Sequence, residues 1–211
     1  MKIAILDSFI QTIDYSKPVQ GGLARSSMMD AEAMATRHNV HYVYYGEVAN
    51  DKSFTTYSLG PLTPPDQCLK MNKKTRDAHY LLSKDIPLLL ETIAKIDPDG
   101  IFIHVVSKSK YLEAICKKFY DTPRVFIFHD GVSNNDLFGT IGIISKWLMI
   151  KKYNGMIVTN SEYTRDTIYQ VLIDREDDCR RLYPEIMKQI PDVHNINLVD
   201  KAFNHFVYYK K

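Results

Sequence analysis

Short apolar runs recur along the chain and alternate with stretches of helical period. The runs at residues 2–7, 40–46, 100–105, 124–129 and 155–159 have the length of strands. Most are apolar throughout, the pattern of strands covered on both faces. Between them, residues 22–38 place Leu23, Ser27, Ala31 and Met34 on one side of a helix. Residues 85–96 predict a second helix, with Asp85 as its cap and Pro87 in the first turn, where a missing N–H costs little. Residues 108–120 predict a third, with Tyr111, Leu112, Ile115, Cys116 and Phe119 inward. A fourth is expected over 135–153, and a fifth begins after Ser161. Strands alternating with helices predict βαβ units. The expected fold is an α/β, Rossmann-like three-layer domain over residues 1–175 with a mostly parallel sheet.

Two regions break the pattern. Residues 51–75 carry Gly60-Pro61 and Pro64-Pro65 among polar residues and predict a long loop, a frequent place for function. Residues 176–211 are expected to form a C-terminal extension or the start of an interdomain linker. A charged run at 174–181 opens it, and an amphipathic or strand-like segment at 203–209 has no partner following it.

Composition narrows the class. A chain of 211 residues can bury a sizeable core, and 45% hydrophobic with 25% charged residues is ordinary for a globular protein. A net charge of +2 neither demands nor excludes nucleic acid. Cys68, Cys116 and Cys179 are far apart with no CxxC pair, so reduced thiols are expected and zinc is not. The start leads into a strand, not into a signal core, and no window reaches the ~20 apolar residues of a membrane span. Residues 138–150 are too short for one and predict a buried helix. A cytoplasmic protein with no membrane partner and no metal is expected.

Several chemistries lack their motifs. GxGxxG, the Walker lysine motif and GxSxG are absent. What remains is positional. Gly21-Gly22 stands where a helix begins, and a helix N-terminus offers free N–H groups and partial positive charge to a phosphate. A loop glycine pair explains the same residues. His129-Asp130 follows a strand, and the carboxyl ends of parallel strands form the ligand edge of open α/β sheets. There an imidazole can donate to a sugar hydroxyl, while a turn explains Asp130-Gly131 equally well. Ser161 fits a helix cap better than a nucleophile. Lys70, Lys73 and Lys74 belong to a loose series of basic residues that could hold DNA phosphates or simply face solvent.

Taken together, the segments around Gly21-Gly22, His129 and Thr159-Asn160-Ser161-Glu162 resemble the N-terminal domain of retaining GT-B glycosyltransferases. A narrower likeness lies in residues 44–55 and in Phe128-His129-Asp130. These resemble the phage α-glucosyltransferases that modify hydroxymethylcytosine in DNA. The resemblance covers roughly residues 1–175 and implies the N-terminal half of a GT-B fold. It implies a glycosyltransferase that takes a nucleotide sugar (a UDP-sugar) as donor, binds no cofactor tightly, and transfers to a modified base in phage-encoded systems within the host cytoplasm. Gly21 and Gly22 would face the donor diphosphate. His129 and Asp130 would act on the sugar and acceptor, and Lys70, Lys73 and Lys74 would meet DNA. A GT-B enzyme also has a second Rossmann-like domain for the donor, so a further domain or partner chain is expected to complete it. The rival expectation is a non-catalytic Rossmann-like module that binds a partner.

Overall fold

The computed structural model describes residues 1–7, 22–46, 52–60, 85–105, 111–129 and 137–207, with the side chains of residues 22, 23 and 137–142 excepted. By packing, the chain divides into two units, Met1–Arg124 and Val125–Lys211.

The first unit contains β1 (Lys2–Leu6), α1 (Gly22–Ala35), β2 (Asn39–Tyr44), β3 (Thr55–Ser58), α2 (Ile86–Ile96), β4 (Gly100–Val105) and α3 (Tyr111–Lys118). Its strands run in the order β3-β2-β1-β4, each parallel to its neighbours. Ile5 pairs with Tyr42 on one side and with Phe102 on the other. The chain therefore winds outward from β1 to β2 and β3, then returns to the other side of β1 with β4. The boundary between β1 and β4 is a topological switch point, where ligands of doubly wound sheets bind at the carboxyl ends.

Helix α1 covers one face of these strands. Ala24, Met28 and Ala31 meet Ile3, Ile5, Val40, Tyr42, Tyr44 and Phe54 in one buried cluster. Two alanines and Ser27 bring the helix close to the sheet, and the space is filled from below by Tyr42, whose ring lies 5.7 Å from Tyr44 and 5.8 Å from Phe54.

The second unit holds most of β5 (Arg124–Phe128), then α4 (Leu137–Lys152), β6 (Met156–Thr159), α5 (Glu162–Asp174), α6 (Glu176–Leu182), α7 (Pro184–Met187), α8 (Ile196–Phe203) and β7 (His205–Val207). Its strands run β5-β6-β7, again parallel. Trp147 of α4, 1% exposed, is the centre of the core. Phe203 meets it edge-on at 5.3 Å, Tyr169 at 6.1 Å, and His205 stacks on it at 5.0 Å.

The expected parallel α/β, Rossmann-like class is the one observed, and the differences have local causes. The stretch expected as a loop over 51–75 contains β3. Its Thr55-Thr56-Tyr57-Ser58 has no apolar run, because it is an outer strand with no fully buried residue. Asp85 does stand at the start of α2, but its side chain makes no cap bond. Its carboxylate lies beside the Tyr45 hydroxyl, whose pKa is raised by burial first and by Asp85 second. The charged run at 174–181 spans the end of α5 and most of α6, where Arg180 donates to Glu176 at 2.6 Å and to the carbonyls of Met187 and Ile190. The strand-like tail finds its partner in β6, with Ile157 opposite His205 and Thr159 opposite Val207.

Candidate functional site

At the carboxyl end of β1 the chain buries a carboxyl group. Asp7 is fully buried, and its Oδ1 accepts from Ser27 Oγ at 2.8 Å. Ser27 Oγ also lies 3.0 Å from the Ala24 carbonyl and 2.7 Å from the Tyr42 hydroxyl. The result is a hydrogen-bonded cluster of Tyr42, Ser27 and Asp7, running from β2 through α1 to the end of β1. One turn further along α1, Asp30 Oδ2 stands 3.5 Å from Nε2 of His104, which is also fully buried.

Register explains why these groups meet. Leu6 is opposite Ile103, so Asp7 and His104 occupy adjacent positions across the β1–β4 boundary. Both face α1, where Ser27 and Asp30 lie three residues apart. Two carboxylates and an imidazole thus line the floor of the switch point in the first unit, at the site where such folds place ligands. Asp30 and His104 were not among the residues anticipated from the sequence. The signal was present in the apolar run Ile101-Phe102-Ile103-His104-Val105, where a histidine interrupts a buried strand, and in the helical spacing of Ser27 and Asp30.

The anticipated residues fall as follows. Gly22 is the first residue of α1, as expected for a helix start. Gly21 lies outside the described residues, as do Asp130, Lys70, Lys73 and Lys74. His129 follows β5 in the second unit and is partly exposed. Its Nδ1 lies 3.5 Å from the side-chain nitrogen of Asn160, which follows β6. Asn160 is held in turn. Its backbone N–H donates to the Phe128 carbonyl at 3.1 Å, and its Oδ1 accepts from Thr164 Oγ1 at 2.9 Å. The two strand ends thus present an imidazole and an amide side by side, a pair able to bond hydroxyl groups. Ser161 is the cap of α5, accepting from the Thr164 N–H at 3.1 Å, and is not placed as a nucleophile.

Cys116 and Cys179 are poor nucleophiles, and Cys68 lies outside the described residues. Burial pushes the thiols of Cys116 and Cys179 up to about 11. Among the described residues no three His, Cys, Asp or Glu side chains group as a metal site, and no helix is long and apolar enough to cross a membrane.

Comparison with protein-family models, with curated proteins and with solved structures finds no match to this chain. Fold and residues therefore define the class, a parallel α/β protein of Rossmann-like architecture with polar groups at the carboxyl ends of its strands.

Proposed function

We propose that the chain is the acceptor-side, Rossmann-like part of a nucleotide-sugar-dependent glycosyltransferase that acts with retention on a modified base in DNA. The observation that carries the reading is the position of His129. It follows a parallel strand, is partly exposed, and stands beside Asn160 from the next strand end. The resemblance of the surrounding segments to the GT-B group supports the same reading.

In this scheme His129 donates to a hydroxyl of the donor sugar and Asn160 sets the plane of its ring. As the sugar gains positive charge in the transition state, a polar contact to it tightens, so it contributes more to turnover than to ground-state binding. Gly22, the first residue of α1, and Gly21 before it in the sequence meet the leaving diphosphate through backbone N–H groups. Asp130 orients the sugar or the acceptor. Lys70, Lys73 and Lys74 hold DNA phosphates, and a duplex acceptor base is flipped out to reach the site. A second nucleotide-binding domain, on the same or another chain, completes the donor site.

The test pairs binding with transfer. UDP-glucose and DNA containing hydroxymethylcytosine are titrated separately into the protein, and the His129 ring and Asn160 amide resonances are followed. Label transfer from a panel of UDP-sugars is then measured with the full-length gene product. Shifts at His129 and Asn160 together with base-linked label are the expected result. Binding of a protein partner through this edge, with no response to any nucleotide sugar and no transfer, would favour the non-catalytic module and end the glycosyltransferase reading.

A further inference from the structure

The C-terminal strand of the second unit is fastened by one titratable side chain. β7 has three residues, and only His205 among them is buried. Phe206 is 54% exposed. Inside, His205 is bonded at both nitrogens. Nδ1–H donates to Asp200 Oδ1 at 2.5 Å, and Nε2 lies 3.0 Å from Thr159 Oγ1. The Tyr169 hydroxyl also donates to Asp200 Oδ1 and lies 3.1 Å from His205 Nδ1. Trp147 stacks on the imidazole at an interplanar angle of 28°.

The order Thr159–His205–Asp200 is that of a nucleophile, a base and its orienting carboxylate. Two observations remove a hydrolytic role. Thr159 is fully buried, and the N–H of the following residue, Asn160, is already bonded to the Phe128 carbonyl and cannot serve an oxyanion. The network instead joins β7 and α8 to β6, α4 and α5.

We propose that this network is a pH-sensitive latch. With His205 neutral it holds the segment 196–207 against the rest of the second unit, and protonation of His205 releases it. The groups that face the imidazole set the direction. α8 contributes Asp200, which favours the imidazolium. α5 contributes Tyr169 and, at longer range, Arg165, which disfavours it. α4 and β6 contribute the neutral Trp147 and Thr159. Burial is the largest influence and holds the His205 pKa below its ordinary value, against the pull of Asp200. An opened segment returns His205 to water, where it takes up a proton near pH ~6.5. The open state therefore binds more protons than the closed one, and opening is favoured as pH falls through the range below that value. Once the pH drops below the closed-state pKa, both states are protonated and the effect stops growing.

The experiment is amide hydrogen exchange on the intact protein from about pH 8 to about pH 5, corrected for intrinsic rates, with Trp147 fluorescence recorded in parallel. Trp147 is the single tryptophan, so the signal belongs to this site. Protection of the amides of β7 should fall by up to about tenfold per pH unit once below pH ~6.5, the slope of one proton. The amides of β1, β2 and β4 should not follow it. His205→Gln, which keeps polar contacts without titrating in this range, should give β7 protection that is flat with pH. Should that variant fail to fold, direct titration of the His205 ring in the wild-type protein decides. A midpoint below that of an exposed histidine supports the latch, and one at or above it overturns it. Protection that is constant in the wild type, or that rises as pH falls, overturns it as well.

Discussion

The Ser27 hydroxyl lies within bonding distance of Asp7 Oδ1, the Ala24 carbonyl and the Tyr42 hydroxyl. Ser27→Ala therefore removes one hydrogen-bond partner from the fully buried Asp7 carboxyl group and one from the buried Tyr42 hydroxyl in one step. A buried polar group left short of a partner costs about 1–3 kcal/mol, well above the loss of a single exchangeable bond. Chemical denaturation should show a lowered midpoint with an unchanged slope. A loss below about 0.5 kcal/mol, the scale of ordinary surface changes, would mean that water or a neighbour replaces the hydroxyl. The cysteines make a second residue-scale prediction. With their thiols near 11, only a very small fraction of Cys116 or Cys179 is thiolate at neutral pH, and both side chains are buried. Iodoacetamide should label these two peptides in the unfolded protein and leave them largely unlabelled in the native one, as peptide mass spectrometry would record. Fast native labelling at either site would contradict the burial.

At the scale of elements, the join between α4 and β6 is the most constrained. α4 ends through Asn154 in the left-handed region, and the Gly155 N–H donates to the Ile150 carbonyl at 2.9 Å. A Cβ on Gly155 would lie 2.7 Å from both the Ile150 methyl and the Phe126 ring. Gly155→Ala must displace a buried ring, and overpacking of this kind costs about 1–3 kcal/mol. Thermal unfolding of the variant measures it, and an unchanged melting temperature would show that the ring moves freely. Ser161→Ala at the start of α5 should cost about 1 kcal/mol, the typical value for a lost side-chain cap.

The same elements show how far the sequence could be read. Largely buried strands announce themselves through mostly apolar runs, broken only by His41 in β2 and His104 in β4, so β1, β2, β4, β5 and β6 were legible. β3 was not, because an outer strand can be built from threonine, tyrosine and serine, and no local signal separates it from a loop. β7 was visible as a strand-like segment, but its pairing with β6 is a tertiary fact that no local pattern carries. The candidate site was legible only in part. His129 could be picked out by position, whereas the Asp30–His104 pair depends on the register between α1 and β4 and emerges only when both are in place.

For the whole molecule, two classes of residue should fail in different ways if the proposed function holds. His129 is expected to touch the sugar during transfer, and Lys70, Lys73 and Lys74 to touch phosphates of the acceptor. In the complete enzyme, His129→Ala should lower kcat by a larger factor than it raises KM, because the lost contact is strongest when the sugar carries positive charge. It should leave the salt dependence of DNA binding untouched. Alanine at the three lysines should do the reverse. Each lost phosphate contact lowers the slope of log Kd against log salt by about 0.9 and weakens binding to any DNA sequence alike, with kcat preserved once acceptor is saturating. Measuring transfer kinetics and salt titrations on one set of variants separates the roles. If His129→Ala leaves turnover intact while the lysine variants behave as stated, the protein binds DNA and its chemistry lies elsewhere. If the lysine variants keep the full salt slope while His129→Ala loses turnover, the acceptor is held by other residues or is not a polyanion. If neither variant changes anything, the glycosyltransferase reading is wrong at both ends.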